Sequence, residues 1–228
     1  MIVAEIGRLR PAALGLSEAG IGFGHGRWLQ RALRRRHGLD YALHQVSEPG
    51  PVEEATGQAL LTTLRVLETA TMQFQDSPQV ALVARLQLDR RVADLCITHL
   101  HGRLGDEYDE LRERQAQQLL AWIGNREGAD LRIVCGDFNA PRESEAAQLM
   151  AGRFHATQTA ATAFTSLKGP GGAPTQRTLP RLDRCIDYIW VDGAISVEKS
   201  GLCFDVPSPD DPDLWPSDHL GVWADLDP

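Results

Sequence analysis

The sequence predicts an α/β protein in which two β-sheets pack face to face with helices outside. Three observations predict it. Apolar runs of strand length recur along the whole chain. One clear helical segment links two of those runs. Helices are otherwise few, and long Gly- and Pro-rich loops separate the elements.

Taken in order, Ile2, Val3, Ile6 and Leu9 have helical spacing, and Pro11 ends that helix. Ala13 to Leu16 reads as a short buried strand. It delivers Ser17 and Glu18 to a loop holding Gly20, Gly22, Gly24 and Gly26. Trp28 to Arg36 reads as a helix with Trp28, Leu29, Ala32 and Leu33 inward. Arg31, Arg34, Arg35 and Arg36 crowd its C-terminal half, where the helix dipole favours cations. A solvated face is one reading of these arginines and a phosphate-contacting patch the other. Leu39 to Val46 and Gln58 to Leu64 read as strands around a Pro-, Gly- and Glu-rich loop. Val80 to Leu88 and Val92 to Thr98 read as a hairpin turning at Asp89, Arg90 and Arg91.

The clearest helix follows. Asp106 is the expected N-cap, Glu107, Asp109 and Glu110 load the first turn, and Gly128 closes it. Tyr108, Leu111, Gln115, Leu119, Trp122 and Ile123 form its inward stripe. It connects Val92–Thr98 to the apolar run Leu131 to Cys135. A strand-helix-strand crossover makes its strands parallel, so His99 and Asp137 are expected at one end of the sheet. Glu143 to Met150 is a short helix, and Lys168 to Pro180 is a long Gly/Pro loop. Arg184 to Val191, Ser196 to Phe204 and Leu220 to Leu226 complete the strands.

The chain has 228 residues and a net charge of −8. That length suits one domain spanning 1–228. The charge argues against a general nucleic-acid coat protein but leaves room for a nuclease with a local basic patch. Cys96, Cys135, Cys185 and Cys203 are far apart and lack Cys-x-x-Cys spacing. They read as reduced thiols, and a cytoplasmic location is the expectation. No apolar run approaches membrane-spanning length and no signal peptide is evident, so stable membrane insertion is not expected.

The stretch with the most chemistry is Gly136-Asp137-Phe138-Asn139-Ala140-Pro141. Gly136 frees the backbone at a strand end, and Pro141 bars extension of the sheet. On extended chain Asp137 and Asn139 share a face, offering a carboxylate and an amide. Collected, the strand ends carry Glu18, His99, Asp137, Asn139, Asp187, Asp218 and His219. Carboxylates for a divalent cation, a base, and amide or cationic donors for an oxyanion fit metal-assisted hydrolysis of a phosphate ester.

Six runs stand in the order of a known family. They are Leu14-Gly15-Leu16-Ser17-Glu18, Gly57-Gln58-Ala59-Leu60-Leu61, Thr98-His99-Leu100, Gly136-Asp137-Phe138-Asn139, Ile186-Asp187-Tyr188-Ile189 and Ser217-Asp218-His219. Together they resemble the endonuclease/exonuclease/phosphatase superfamily, with its DNase I-like fold, over nearly the whole chain. The resemblance implies a four-layer α/β sandwich and a phosphoesterase using Mg²⁺ or Mn²⁺. It implies that Glu18 binds the metal, with Asp218 near or on it. Asp137 would position or activate the nucleophile, or protonate the leaving group, and Asn139 would orient substrate. His219 would be the general base or phosphate-stabilising group, with Asp187 its carboxylate partner, and His99 would contact the phosphate. Nucleic acid, phospholipid and small phosphorylated molecules are all substrates of such enzymes. A degenerate member that binds a phosphorylated ligand or partner without turnover is the alternative.

One departure stands out. The family's first core strand ends in an Asn that helps hold metal and phosphate, and this chain has no counterpart upstream of Glu18. The expectation is either a start at Met1 placed too late or a fold lacking the first core strand. The latter leaves a sheet edge unpaired in the middle of the fold.

Overall fold

The computed structural model describes residues 1–51, 55–158, 165, 184–211 and 214–228. The expected 168–180 loop lies outside them. The elements are α1 (Ile2–Leu9), β1 (Ala13–Leu16), α2 (His25–His37), β2 (Ala42–Ser47), β3 (Gly57–Thr62), β4 (Arg65–Gln73), β5 (Val80–Leu88) and β6 (Arg91–His99). Then follow α3 (Asp106–Gly124), β7 (Leu131–Asp137), α4 (Glu145–Ala151), β8 (His155–Ala156), β9 (Asp187–Val191), β10 (Ser196–Cys203) and β11 (Gly221–Asp227).

Six strands form one sheet in the order β4-β5-β6-β7-β9-β8. Only β6 and β7 run parallel within it, joined by the α3 crossover as the sequence requires. Strand parity sorts the side chains of this sheet between two cores. Cys96, Val134, Tyr188 and Trp190 face Ala116, Leu119 and Ile123 of α3 and Ala146 and Met150 of α4. Leu82, Leu95, Ile97 and Ile133 face the other way, onto Leu60 of β3 and Val46 of β2. Ile133 and Ile189 also meet Val197 of β10 and Leu226 of β11. Beyond that second layer, Val3, Ile6, Leu29, Ala32 and Leu33 of α1 and α2 cover Leu61, with Leu14, Leu16 and Leu43. The result is the expected α/β/β/α layering.

The second β-layer is divided. It consists of a three-stranded ladder, β1-β3-β2, and a separate two-stranded ladder, β10-β11. Among the described residues β1 pairs only with β3, and β11 only with β10. Their other edges carry no ladder.

Several boundaries differ from the sequence reading. Gly105, not Asp106, is the N-cap of α3, so Asp106 sits inside the first turn and still meets the positive end of the dipole. The helix ends at Gly124 rather than Gly128, because the Asn125 amide already closes the last turn on Ala121 and Ile123. Strand β4 has no counterpart in the sequence reading. Most of its residues are exposed, so no buried run marks it, and its pairing with β5 makes it a strand. That edge is held by a buried ion cluster. Asp94, 1% exposed, accepts from Arg85 at 2.8 and 2.9 Å and from Arg126 at 2.9 Å, and Arg126 also reaches Glu68 of β4 at 3.1 Å. Burial works against the Asp94 carboxylate, but the two guanidiniums hold its pKa below the ordinary value.

All four cysteines are free thiols. Burial pushes Cys203 up to about 12 and raises Cys96 well above the ordinary value, so neither is an activated nucleophile. No helix of the described residues is long and apolar enough to cross a membrane.

Candidate active site

Register brings three of the predicted residues into one row. His99 on β6 is opposite Asp137 on β7, and Asp137 is opposite Asp187 on β9. They share parity with Ile97, Ile133 and Ile189, so they face the second β-layer. Gly136 makes this close approach possible. Its φ is 140°, and a Cβ there would lie 1.8 Å from the Thr98 carbonyl oxygen. The second layer answers from its two ladder edges. Glu18 follows β1, and Ser217-Asp218-His219 precedes β11. The site therefore lies at the head of the sandwich, where that layer is divided.

His219 Nδ1 is 2.8 Å from Asp187 Oδ2, and its Nε2 is 3.8 Å from Asp137 Oδ2. Asp137, Asp187 and His219 each offer a ligand atom, all within 4.8 Å of one another. His99 Nε2 lies 3.8 Å from Asp137 Oδ2 and 3.9 Å from Glu18 Oε1. Glu18 itself is exposed, on a left-handed residue with φ 50°. Asp218 is half-buried, accepts a 3.5 Å contact from the Ser217 hydroxyl, and adds its charge to the field at His219.

Asn139 departs from the sequence reading. The strand ends at Asp137, and Asn139 takes a left-handed φ of 49°, which Asn tolerates. It is therefore not two places along an extended chain from Asp137. Its amide N–H donates to Asp137 Oδ1 at 2.7 Å, and its side chain turns back toward β6. There Nδ2 donates to the Leu100 carbonyl at 3.1 Å and lies 3.1 Å from His99 Nε2. With the amide nitrogen on that side, His99 Nε2 is the acceptor.

The electrostatics follow from crowding. Burial and the neighbouring Asp187 charge push Asp137 up to about 8, against the opposing pull of His219. Burial disfavours the His219 imidazolium, but the Asp187 hydrogen bond and the charges of Asp187, Asp137 and Asp218 outweigh it and raise its pKa to about 9. At neutral pH His219 is thus a cation. An imidazole NMR titration of the metal-free protein should find the His219 midpoint near 9. In Asp187→Asn it should fall, since the largest raising influence is gone. A midpoint below 7 in the parent protein would contradict this geometry. The raised pKa also gives a sign for stability. The His219 contribution is full below the ordinary value of 6.5 and disappears as pH rises through about 9.

Three supports were given no role by the sequence: Thr165 and Gln158 lie in no motif run, and Tyr188 stands in its run only as a strand residue. Thr165 Oγ1 accepts from the Ile186 and Asp187 amides, both at 3.1 Å, fixing where β9 begins. The Tyr188 hydroxyl lies 2.9 Å from the Ala140 carbonyl and 2.7 Å from that of Cys185, pinning the Asn139 loop to β9. Gln158 Nε2 donates to the Asp187 carbonyl. A fourth residue, Gln58, likewise stands in a motif run only as part of a strand. Gln58 on β3 is fully buried, and its amide has no hydrogen-bond partner among the described residues. Leu60, two residues on, packs against the six-stranded sheet, so Gln58 faces the same way. Its neighbour Gly57 accepts from Ala19, next to Glu18. A glutamine ahead of the apolar Ala59, Leu60 and Leu61 of a buried strand was the available signal.

Comparison with known proteins agrees with this architecture. A family model described as Endonuclease/Exonuclease/phosphatase family matches residues 1–219. Nocturnin of Drosophila melanogaster is 36% identical over 78 residues, which are 33% of this chain and 12% of that protein. The structure of the human Nocturnin catalytic domain with a bound sulfate anion superposes with a TM-score of 0.74 at 26% identity. It covers 99% of this chain and 84% of that one. A D. rerio TDP2 structure, complexed with single-strand DNA product, has a TM-score of 0.75 at 16% identity. It covers 100% and 90% of the two chains.

Proposed function

The chain belongs to the endonuclease/exonuclease/phosphatase family, and from that premise we propose that it is a phosphoesterase dependent on Mg²⁺ or Mn²⁺. The observation that carries this reading is the Asp137–Asp187–His219 cluster, with Glu18 and His99 beside it, at the head of the sandwich. The donor set fits a hard divalent cation. It is rich in carboxylate oxygens, burial and the Asp187 charge hold Asp137 up at about 8 despite the pull of His219, and the buried Gln58 amide has no hydrogen-bond partner among the described residues. We assign Glu18 and Asp218 as the residues that hold the cation. When bound, such a cation polarises the phosphoryl oxygens and stabilises the charge that develops on them.

The chain's own residues do the rest. His219, kept cationic and oriented by Asp187, places a charged N–H where a phosphoryl oxygen gains charge. Asp137 exchanges a proton with the nucleophile or leaving group, a role suited by a pKa near neutrality. Asn139 and His99 form a second polar wall, locked by the Leu100 carbonyl, that orients the substrate. The sulfate in the human relative is a tetrahedral oxyanion of the kind a phosphoester presents. The reading includes a reducing, cytoplasmic setting, on the strength of four free thiols of which three are buried, and a single domain over 1–228.

The test is a panel of phosphoesters assayed with Mg²⁺ and with Mn²⁺. It should include a single-stranded oligonucleotide, a phospholipid, a sugar phosphate and bis(p-nitrophenyl) phosphate. Hydrolysis of at least one diester or monoester, lost in Asp137→Asn, is the expected result. Tight binding of a phosphorylated ligand with no turnover under any condition would overturn it in favour of a non-catalytic member.

A further inference from the structure

Helix α2 carries Arg27, Arg31, Arg34, Arg35 and Arg36 and no acidic residue, in a chain whose net charge is −8. All five arginines are exposed. Arg34 has a 3.6 Å contact with Asp40 between two well-exposed side chains, a pair of little strength. Arg27, Arg31, Arg35 and Arg36 make no ion pair among the described residues. Arg27, Arg31 and Arg35 repeat every four residues, so they form one row along the helix. Trp28, 59% exposed, stands beside that row, and Phe23, 72% exposed, stacks on His25 at the helix start with ring centroids 5.7 Å apart. Against Arg27 and Arg31 lies a cleft of about 270 Å³, completed by Gln30, Leu43 and Gln45.

We propose that this arginine and tryptophan face of α2 is a binding surface for single-stranded nucleic acid. Unpaired guanidiniums in a row neutralise successive phosphates, exposed aromatic rings accept stacked bases, and the glutamines of the cleft offer neutral hydrogen bonds. The face is coupled to the catalytic site. Its first turn docks on the loop that carries Glu18, with the His25 amide donating to the Gly20 carbonyl at 3.1 Å and the His25 ring packed tightly on Gly20. A strand lying on α2 therefore passes beside the loop that carries Glu18. An anionic membrane is the other polyanion, and the geometry disfavours it. The apolar residues Leu29, Ala32 and Leu33 of α2 are already buried in the core, leaving no broad apolar face for lipid. The proposal rests on the phosphoesterase reading and narrows its substrate to a polynucleotide.

The experiment is fluorescence anisotropy of the full chain with a labelled single-stranded oligonucleotide in EDTA, which separates binding from turnover. The parent protein should bind with an affinity that falls steeply with salt. Arg27→Glu combined with Arg31→Glu should weaken binding roughly tenfold or more and flatten the logarithmic salt slope by about 0.7 per arginine removed. Trp28→Ala should weaken binding at least about fivefold at every salt concentration. Hydrolysis of bis(p-nitrophenyl) phosphate, too small to reach α2, should stay within about twofold in each variant, which also reports that the variants are folded. Unchanged oligonucleotide affinity and slope in both variants would overturn the proposal. So would vesicles of phosphatidylserine binding the parent while the oligonucleotide does not. No ester hydrolysis by the parent would overturn the phosphoesterase reading, and the anisotropy comparison would still decide α2.

Discussion

His219→Ala should lower kcat by roughly a hundredfold or more while the protein stays folded. The ring is held by a 2.8 Å bond to Asp187 and is charged at neutral pH, so its loss removes a positioned cation from the transition state. Asp187→Asn should lower kcat for a different reason. The amide preserves the shape but not the charge, so the imidazolium loses its partner and its orientation. If the two act as a unit, the double variant should be hardly slower than His219→Ala alone. Thr165 and Gln158 hold the Asp187 backbone in place, so neither substitution should unravel β9. Steady-state kinetics on the three variants, with melting curves beside them, decides the matter. Additive rate losses, or folded variants with near-native kcat, would remove the pair from the mechanism.

Chelation should have an effect at least as large. Excess EDTA should abolish turnover, and Mg²⁺ or Mn²⁺ should restore it, because the assigned ligands Glu18 and Asp218 both offer carboxylate oxygens. A readout independent of activity is available. Binding to the folded state alone raises the melting temperature by linkage, and Glu18→Gln should shrink that rise. Cation binding should also release protons near neutral pH, since Asp137 carries one until about pH 8 in the cation-free site. Calorimetric titration in two buffers of different ionisation enthalpy measures that release. Full activity in EDTA, or a requirement for tightly held zinc, would sink the assignment.

The α/β class, the strand-end residues and the pairing of His99 with Asp137 were legible in the sequence by itself. Apolar period distinguishes a strand from a helix locally, and a helix between two strands dictates a parallel pair. The motif order also brought Asp187 to His219, although the two are 32 apart in sequence. Local pattern could not reveal β4, because an edge strand with one face in solvent buries no apolar run, and only its ladder with β5 defines it. Nor could it reveal Asn139's turn back onto His99, which follows from one left-handed φ rather than from spacing. The division of the second layer, the pinning by Thr165 and Tyr188, and the lack, among the described residues, of ion-pair partners for Arg27, Arg31, Arg35 and Arg36 are likewise tertiary facts. Each depends on which groups the fold brings within a few ångströms, and a hydrogen bond or ion pair between distant segments leaves no periodic trace in the chain.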